Sequence, residues 1–334
     1  MKRARLIFRL LAVLLVLSGP VYPASSRPLP LAYNESTFGS AGAGRNYTSL
    51  QAWENDTDVN CAGNSRGEVL TCYPDEVSYD QTVAIGIATV NSSYFRVIRA
   101  APGFERRVVI DSAASQDTQA GVIWDATESN FGLYDLTVRL HVNDDVVVKA
   151  LFFSGCQNIR VAGCVIGPLV NANSAGCVGM QLYGGATASV TNTVFRGSLG
   201  TDSLYAIVTS TTGGLSLNNS VIYKWANGYW GTVAGTGTAT NCIFDDNSGE
   251  TWGNGPSWVT SIRNADGFNG FVDAAGGDFR LKSTAALAID QGTSLSGTFT
   301  DDFEGDVRPY GAAWDIGIDE YRPQTGGAWV WCVN

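Results

Sequence analysis

Short apolar runs separated by small and polar turn residues fill the chain from about residue 80 to residue 260, and one of them recurs. Ser189-Val-Thr-Asn-Thr-Val-Phe-Arg196 returns as Arg160-Val-Ala-Gly-Cys-Val-Ile-Gly167, Ser216-Leu-Asn-Asn-Ser-Val-Ile-Tyr223 and Thr238-Ala-Thr-Asn-Cys-Ile-Phe-Asp245. A looser copy is Gly132-Leu-Tyr-Asp-Leu-Thr-Val-Arg139. Aligned on Asp135, Gly163, Asn192, Asn219 and Asn241, the copies stand 28, 29, 27 and 22 residues apart. These runs read as strands, and helical periodicity is absent. A second apolar run precedes each copy, as in Ala150-Leu-Phe-Phe153 and Tyr205-Ala-Ile-Val208. One period therefore holds at least two strands, with room for a third, which is one coil of a solenoid.

Coils that stack through parallel strand hydrogen bonds lie ~4.8 Å apart. That stacking places Val161, Val190 and Leu217 in one inner column and Ile166, Phe195 and Ile222 in another. Asn192, Asn219 and Asn241 fall at one bend, where their amides can bond one another and turn backbone groups that leave the ladder. An antiparallel sandwich also has short strands, but its turns come about every 8–12 residues. A motif recurring at 22 to 29 residues fits a solenoid instead.

The ends differ from the middle. Residues 31–79 are irregular in pattern, apart from a stretch in which Thr48 can cap a short helix through Leu50, Trp53 and Glu54. An open first coil exposes strand edges and a hydrophobic bore, so an amphipathic helix there reads as a plug. The pattern divides the chain into a leader (1–26), an N-terminal cap with a short helix (27–79), coils (80–260), a C-terminal cap (261–321) and a Trp/Cys tail (322–334).

The repeats resemble the right-handed parallel β-helix, or pectate-lyase-like, superfamily. The stretch from Gly39 to Glu54 is similar to an N-terminal segment of bacterial and phage β-helix proteins. The series Asn241-Cys-Ile-Phe244, Trp252-Gly-Asn254, Gly270-Phe-Val-Asp273, Gly277-Asp-Phe-Arg-Leu281, Ala288-Ile-Asp290, Gly292, Asp306-Val-Arg-Pro309 and Asp315-Ile-Gly-Ile-Asp-Glu-Tyr321 resembles the C-terminal end of secreted bacterial β-helix proteins of the choice-of-anchor Q type. It departs from them at Ala286-Leu287, where Ser-Pro is usual, and at its Gly317-Ile-Asp-Glu-Tyr ending. The resemblance implies an all-β fold: a right-handed parallel β-helix with irregular N- and C-terminal caps.

Lys2, Arg3, Arg5 and Arg9, the apolar residues 10–17 and Ala24-Ser25-Ser26 together read as a secretory leader. Losing those four basic residues moves the net charge from −10 to −14. So acidic an exported chain is a poor partner for nucleic acid. The expected location is extracellular or at the cell surface. Export permits disulfides, and Cys61 with Cys72 flanks a Gly/Asn-rich turn as the best pair. Cys164 and Cys242 hold equivalent repeat positions and read as small buried packing residues.

Catalytic residue types are sparse. His141 is the only histidine, so zinc sites and nucleophilic triads are unsupported. Asp245-Asp246 projects after a repeat and is a candidate for acid–base work, with a solvated turn as the alternative. Asp144-Asp145 reads as a loop. Arg196 stands near successive basic positions, Arg160 and Lys224, and is the candidate base of a lyase, though the three do not form one column. Asp301, Asp302 and Asp306 surround a Gly turn and could hold a structural Ca²⁺; arginine pairing and turn capping are the alternative. Trp225, Trp230 and Trp252 would form a glycan-stacking platform if they line one side.

Three functions fit this pattern. The first is a secreted or cell-surface, non-catalytic β-helix that binds polysaccharide or acts as a structural or adhesive element. The second is a divergent polysaccharide lyase or glycoside hydrolase working in a groove. The third is a virion or filament subunit that self-associates through its Trp/Cys tail.

Overall fold

The chain winds into a parallel β-helix. This computed structural model describes residues 27–86, 88–112, 121–125, 128–140, 148–167, 177–198, 203–210, 212–233 and 237–323. The expected leader, His141, Asp144, Asp145 and the last eleven residues of the expected tail lie outside them.

Among the described residues three parallel sheets form the walls. Sheet I has nine strands: Tyr33–Phe38, Gly67–Cys72, Arg96–Ala100, Gly132–Tyr134, Ile159–Ala162, Thr187–Thr191, Gly214–Asn218, Gly237–Thr240 and Ser257–Val259. Sheet II has seven, from Val83–Ile85 to Gly249–Gly253, and sheet III has seven, from Tyr79–Asp80 to Ile243–Asp245. The repeat motif supplies a sheet I strand, a bend and a sheet III strand. The preceding apolar run supplies sheet II. The third strand that the period had room for is thus present. The first two strands of sheet I fall inside 27–79, so the coils begin earlier than the pattern suggests.

Both expected inner columns exist. Leu133, Val161, Val190, Leu217 and Ala239 are successive register partners, all fully buried. Val138, Ile166, Phe195, Ile222 and Phe244 form the second. The aligned position of every copy turns left-handed, with φ of 60° at Asp135, 65° at Gly163, 45° at Asn192, 43° at Asn219 and 53° at Asn241. Only Gly, Asn and Asp adopt that conformation cheaply, which explains the residue types found there.

After four of the five bends the next residue caps the turn; after Asp135 it is Leu136, which enters the core instead. The Thr193 and Ser220 hydroxyls donate to the carbonyls of Thr191 and Asn218, and Ser220 also accepts the Thr193 N–H of the preceding coil. Cys164 and Cys242 stand in for these hydroxyls, their Sγ atoms 3.4 and 3.3 Å from the carbonyls of Ala162 and Thr240. Burial in the core pushes both thiols up to about 12.

The expected Cys61–Cys72 disulfide is absent; both are free and buried. Cys61 starts helix α2 (Cys61–Asn64), whereas Cys72 ends its strand inside the bore. Cys61 lies outside the core cluster that holds Cys72.

Helix α1 (Leu50–Thr57) is the expected plug. Its cap is Ser49, whose Oγ accepts the Ala52 N–H, rather than Thr48. Leu50 and Trp53 enter the core. Beneath it Arg96 is fully buried and held by Glu128, the Glu54 carboxylate and carbonyl, and the Gly86 carbonyl. At the far end Trp258 continues the inner column, and Arg263 lies 5.0 Å above its ring while pairing with Glu250.

Only the start of residues 261–321 covers that end, where Ile262 bridges Ile243 in parallel and Arg263 lies over Trp258. The rest runs back along the outside of sheet III. Its outward column, Val165, Val194, Val221 and Ile243, is apolar and packs against Phe268, Phe271, Phe279, Phe303, Ile316 and Ile318. The bend asparagines hold this segment: Asn192 donates to the Asp301 carbonyl, Asn219 to those of Asp315 and Gly317, and Asn241 to that of Thr293. Asn241 also donates to Asn219 Oδ1, the expected link between bend amides. Arg27 completes the row. Its guanidinium donates to Asp135 and to Asp301 at 2.6 Å each, above Gly163, where a Cβ would come within 2.4 Å of it.

Candidate functional site

The outward face of sheet I changes chemistry halfway along. One column of register partners runs Val69, Val97, Gly132, Arg160, Ser189, Ser216, Thr238 and Ser257. The first three positions are sealed: Val69, Val97, Phe95 and Tyr134 are buried together, with Leu29 packed against them. Tyr134 lies across Gly132, where any Cβ would come within 2.5 Å of its hydroxyl. From Arg160 onward the face opens into a shallow groove of about 470 Å³.

Asn158, Arg160, Thr187, Ser189, Ser216 and Thr238 supply its polar atoms, and Gly214 and Gly237 keep it open. None of the lining residues is acidic. Arg160 sits 4.7 Å above the Phe95 ring, at the closed end. Thr187 Oγ1 accepts the Asn158 N–H and donates to Gln157. Alternation along each strand turns these side chains outward while Ala188, Val190 and Leu217 fill the core. The array therefore offers neutral donors and acceptors at one-coil intervals, with one cation at its closed end.

The acid–base candidates lie elsewhere. Arg196, Tyr223 and Asp245 are register partners on sheet III. Arg196 is turned to the Ala275 carbonyl at 2.5 Å, and partial burial lowers its pKa. Burial first, and Asp246 second, push Asp245 up to about 6. Asp246 is exposed, left-handed at φ 52°, and 3.7 Å from the Lys224 ammonium. Neighbouring acids on one strand end do not converge, so this is no inverting pair across a substrate.

The aromatic platform does not form as expected. Trp225 is fully buried in the core. It lies in the turn between Val221–Tyr223 and Asn227–Gly231, and a Cβ at Gly179 would come within 3.3 Å of its ring. Trp230 is half-buried and stacks on Tyr205 at 5.1 Å. Trp252 pairs with Trp230 through the backbone, and its side chain lies outside the described residues.

The acidic turn is also rearranged. Asp301 is taken by Arg27 and Asp306 by Arg322, because a segment laid along the solenoid meets arginines from both directions. Asp302 instead joins Glu304 and Asp319, their carboxylate oxygens within 4.8 Å of one another. Burial outweighs Arg308 and raises Asp302 and Asp319 above the ordinary carboxylate range. Three hard oxygen donors are the right kind for Ca²⁺. Asp302 and Asp319 are also committed to the backbone N–H groups of Asp306, Glu320 and Leu281.

The sequence reading missed the groove, the buried Arg96 and the Arg27 clasp. Arg96 had a visible signal, a lone charge inside Phe95-Arg-Val-Ile98. Arg27 had none.

No protein-family model and no curated protein matches the chain. Among solved structures it resembles the crystal structure of pectate lyase Pel9A, at 11% identity and a TM-score of 0.36, over 90% of this chain and 99% of that one. The parallel sheets themselves establish the β-helix.

Proposed function

We propose that this is a secreted or cell-surface, non-catalytic β-helix that binds a linear glycan in the groove on sheet I. The observation that carries this reading is the acid-free array of hydroxyls and amides with a single arginine. Lyase and hydrolase chemistry uses carboxylates beside the scissile bond, as acids and bases or as cation ligands, and none of the residues lining the groove carries one. Hydroxyl and amide groups spaced by one coil match the repeated hydroxyls of an extended sugar chain. The resemblance read from the sequence of residues 241–321 to secreted bacterial β-helix proteins, with the leader pattern at residues 1–26, supports the location.

The test is affinity electrophoresis against β-1,4-glucan, β-1,3-glucan, chitin oligomers, peptidoglycan fragments and polygalacturonate. Ser216→Trp, which fills the groove, is expected to weaken binding by at least about tenfold. A reducing-sugar and unsaturated-product assay, with and without Ca²⁺, is expected to show no turnover; turnover would overthrow the non-catalytic reading. A second reading places the glycan on the stacked Tyr205–Trp230 pair. In that case Trp230→Ala abolishes binding and Ser216→Trp does not.

A further inference from the structure

Resting on that reading, we infer that the groove binds the end of a glycan chain rather than an internal stretch. The groove is blind in one direction. At the Arg160 end the next position of the column is Gly132, buried beneath the Tyr134 ring. Beyond it Phe95 and Val97 are closed over, with Leu29 packed on them. Leu29 is held there by the segment around it. Arg27 is bound to Asp135 and Asp301, Leu31 N–H donates to the Ser93 carbonyl, and Gly67 N–H donates to that of Ala32. The obstruction is therefore built into the sheet and braced at both ends.

The opposite end is open. Thr238 and Ser257 are exposed, and Ser257 belongs to the last strand of sheet I. A polymer aligned with the solenoid axis can leave over Ser257 but cannot continue past Arg160. Its terminal ring then meets the half-buried guanidinium of Arg160, which lies over the Phe95 ring, and the Asn158–Thr187 pair. Terminal rings carry a hydroxyl that internal rings spend on a linkage. A donor at the blind end therefore reads the terminus.

The experiment uses the full protein and the panel glycan it binds most tightly, presented at equal mass as a short-oligosaccharide fraction and as high polymer. Isothermal titration reads the number of protein molecules bound per gram. End binding makes that capacity scale with the number of chains, so it falls in proportion to chain length, about a hundredfold for a hundredfold longer chain. Arg160→Ala is expected to lower oligosaccharide affinity by about tenfold or more, with partial recovery in Arg160→Lys. Capacity proportional to mass, with equal affinity for both forms, overturns the inference and leaves glycan binding standing. No binding by any panel member overturns both.

Discussion

Replacing Asn219 separates the two things a bend asparagine does in this fold. Its backbone is left-handed, with φ of 43°, and its amide donates to the carbonyls of Asp315 and Gly317 at 3.0 Å each. Its Oδ1 also accepts from the Asn241 amide. Glycine keeps the backbone conformation and loses all three bonds. Alanine loses the bonds and also strains the backbone. Each bond contributes about 1 kcal/mol net. Arg308 still donates to both carbonyls, so neither is left without a partner. Asn219→Gly is therefore expected to cost about 3 kcal/mol. Alanine adds the left-handed penalty of about 1–2 kcal/mol, for a total of about 4–5. Urea denaturation measures both as midpoint shifts at constant slope. Hydrogen exchange should quicken at Ile316 and Gly317, whose N–H groups bond to Ala288 and Asn241. Equal stability of the glycine and alanine variants would refute the conformational argument. Unchanged exchange at Gly317 in both would refute the view that the bend holds the returning segment.

Arg27→Ala removes two charge-assisted bonds and leaves Asp135 buried, so a loss of about 3 kcal/mol is expected, read by thermal denaturation, with faster proteolysis near Asp301. Glu128→Gln strips the main partner of fully buried Arg96 and should cost about 3–5 kcal/mol, whereas Arg96→Met with Glu128→Leu should recover much of it. Cys164→Ser and Cys242→Ser place a hydroxyl where Thr193 and Ser220 already carry one, so each should change stability by under about 1 kcal/mol, and a thiol reagent should label neither cysteine in the native protein. Asp302, Asp315 and Asp319 have folded pKa values raised by burial, Asp315 to about 6. Folding then favours their protonated forms. Their contribution is full below the ordinary carboxylate pKa of about 4 and is lost as pH rises through the folded values. In EDTA, the melting temperature of wild type relative to Asp319→Asn should fall between pH 4 and 8; a flat difference would contradict this.

Much of the architecture is written in local sequence. The 22–29-residue period, the Gly/Asn/Asp at each bend and the alternating apolar positions follow from backbone sterics and strand geometry, which act within one coil. They determined the β-helix, both inner columns and the plug helix. One signal was present but unread. Val194-Phe195, Val221-Ile222 and Ile243-Phe244 put an apolar side chain on both faces of sheet III, and a sheet buried on both faces needs a cover. Only tertiary structure decided what supplies it. Residues 261–321 return along the outside, so Asp301 meets Arg27 across 274 positions of sequence and leaves Asp302 with Glu304 and Asp319. The same applies to the groove. Thr187, Ser189 and Ser216 are ordinary outward strand residues within their own coils, and Asn158 is a left-handed turn residue just before its strand. They become a site because register stacks them one coil apart and because Leu29, Phe95 and Tyr134, drawn from three distant segments, close one end.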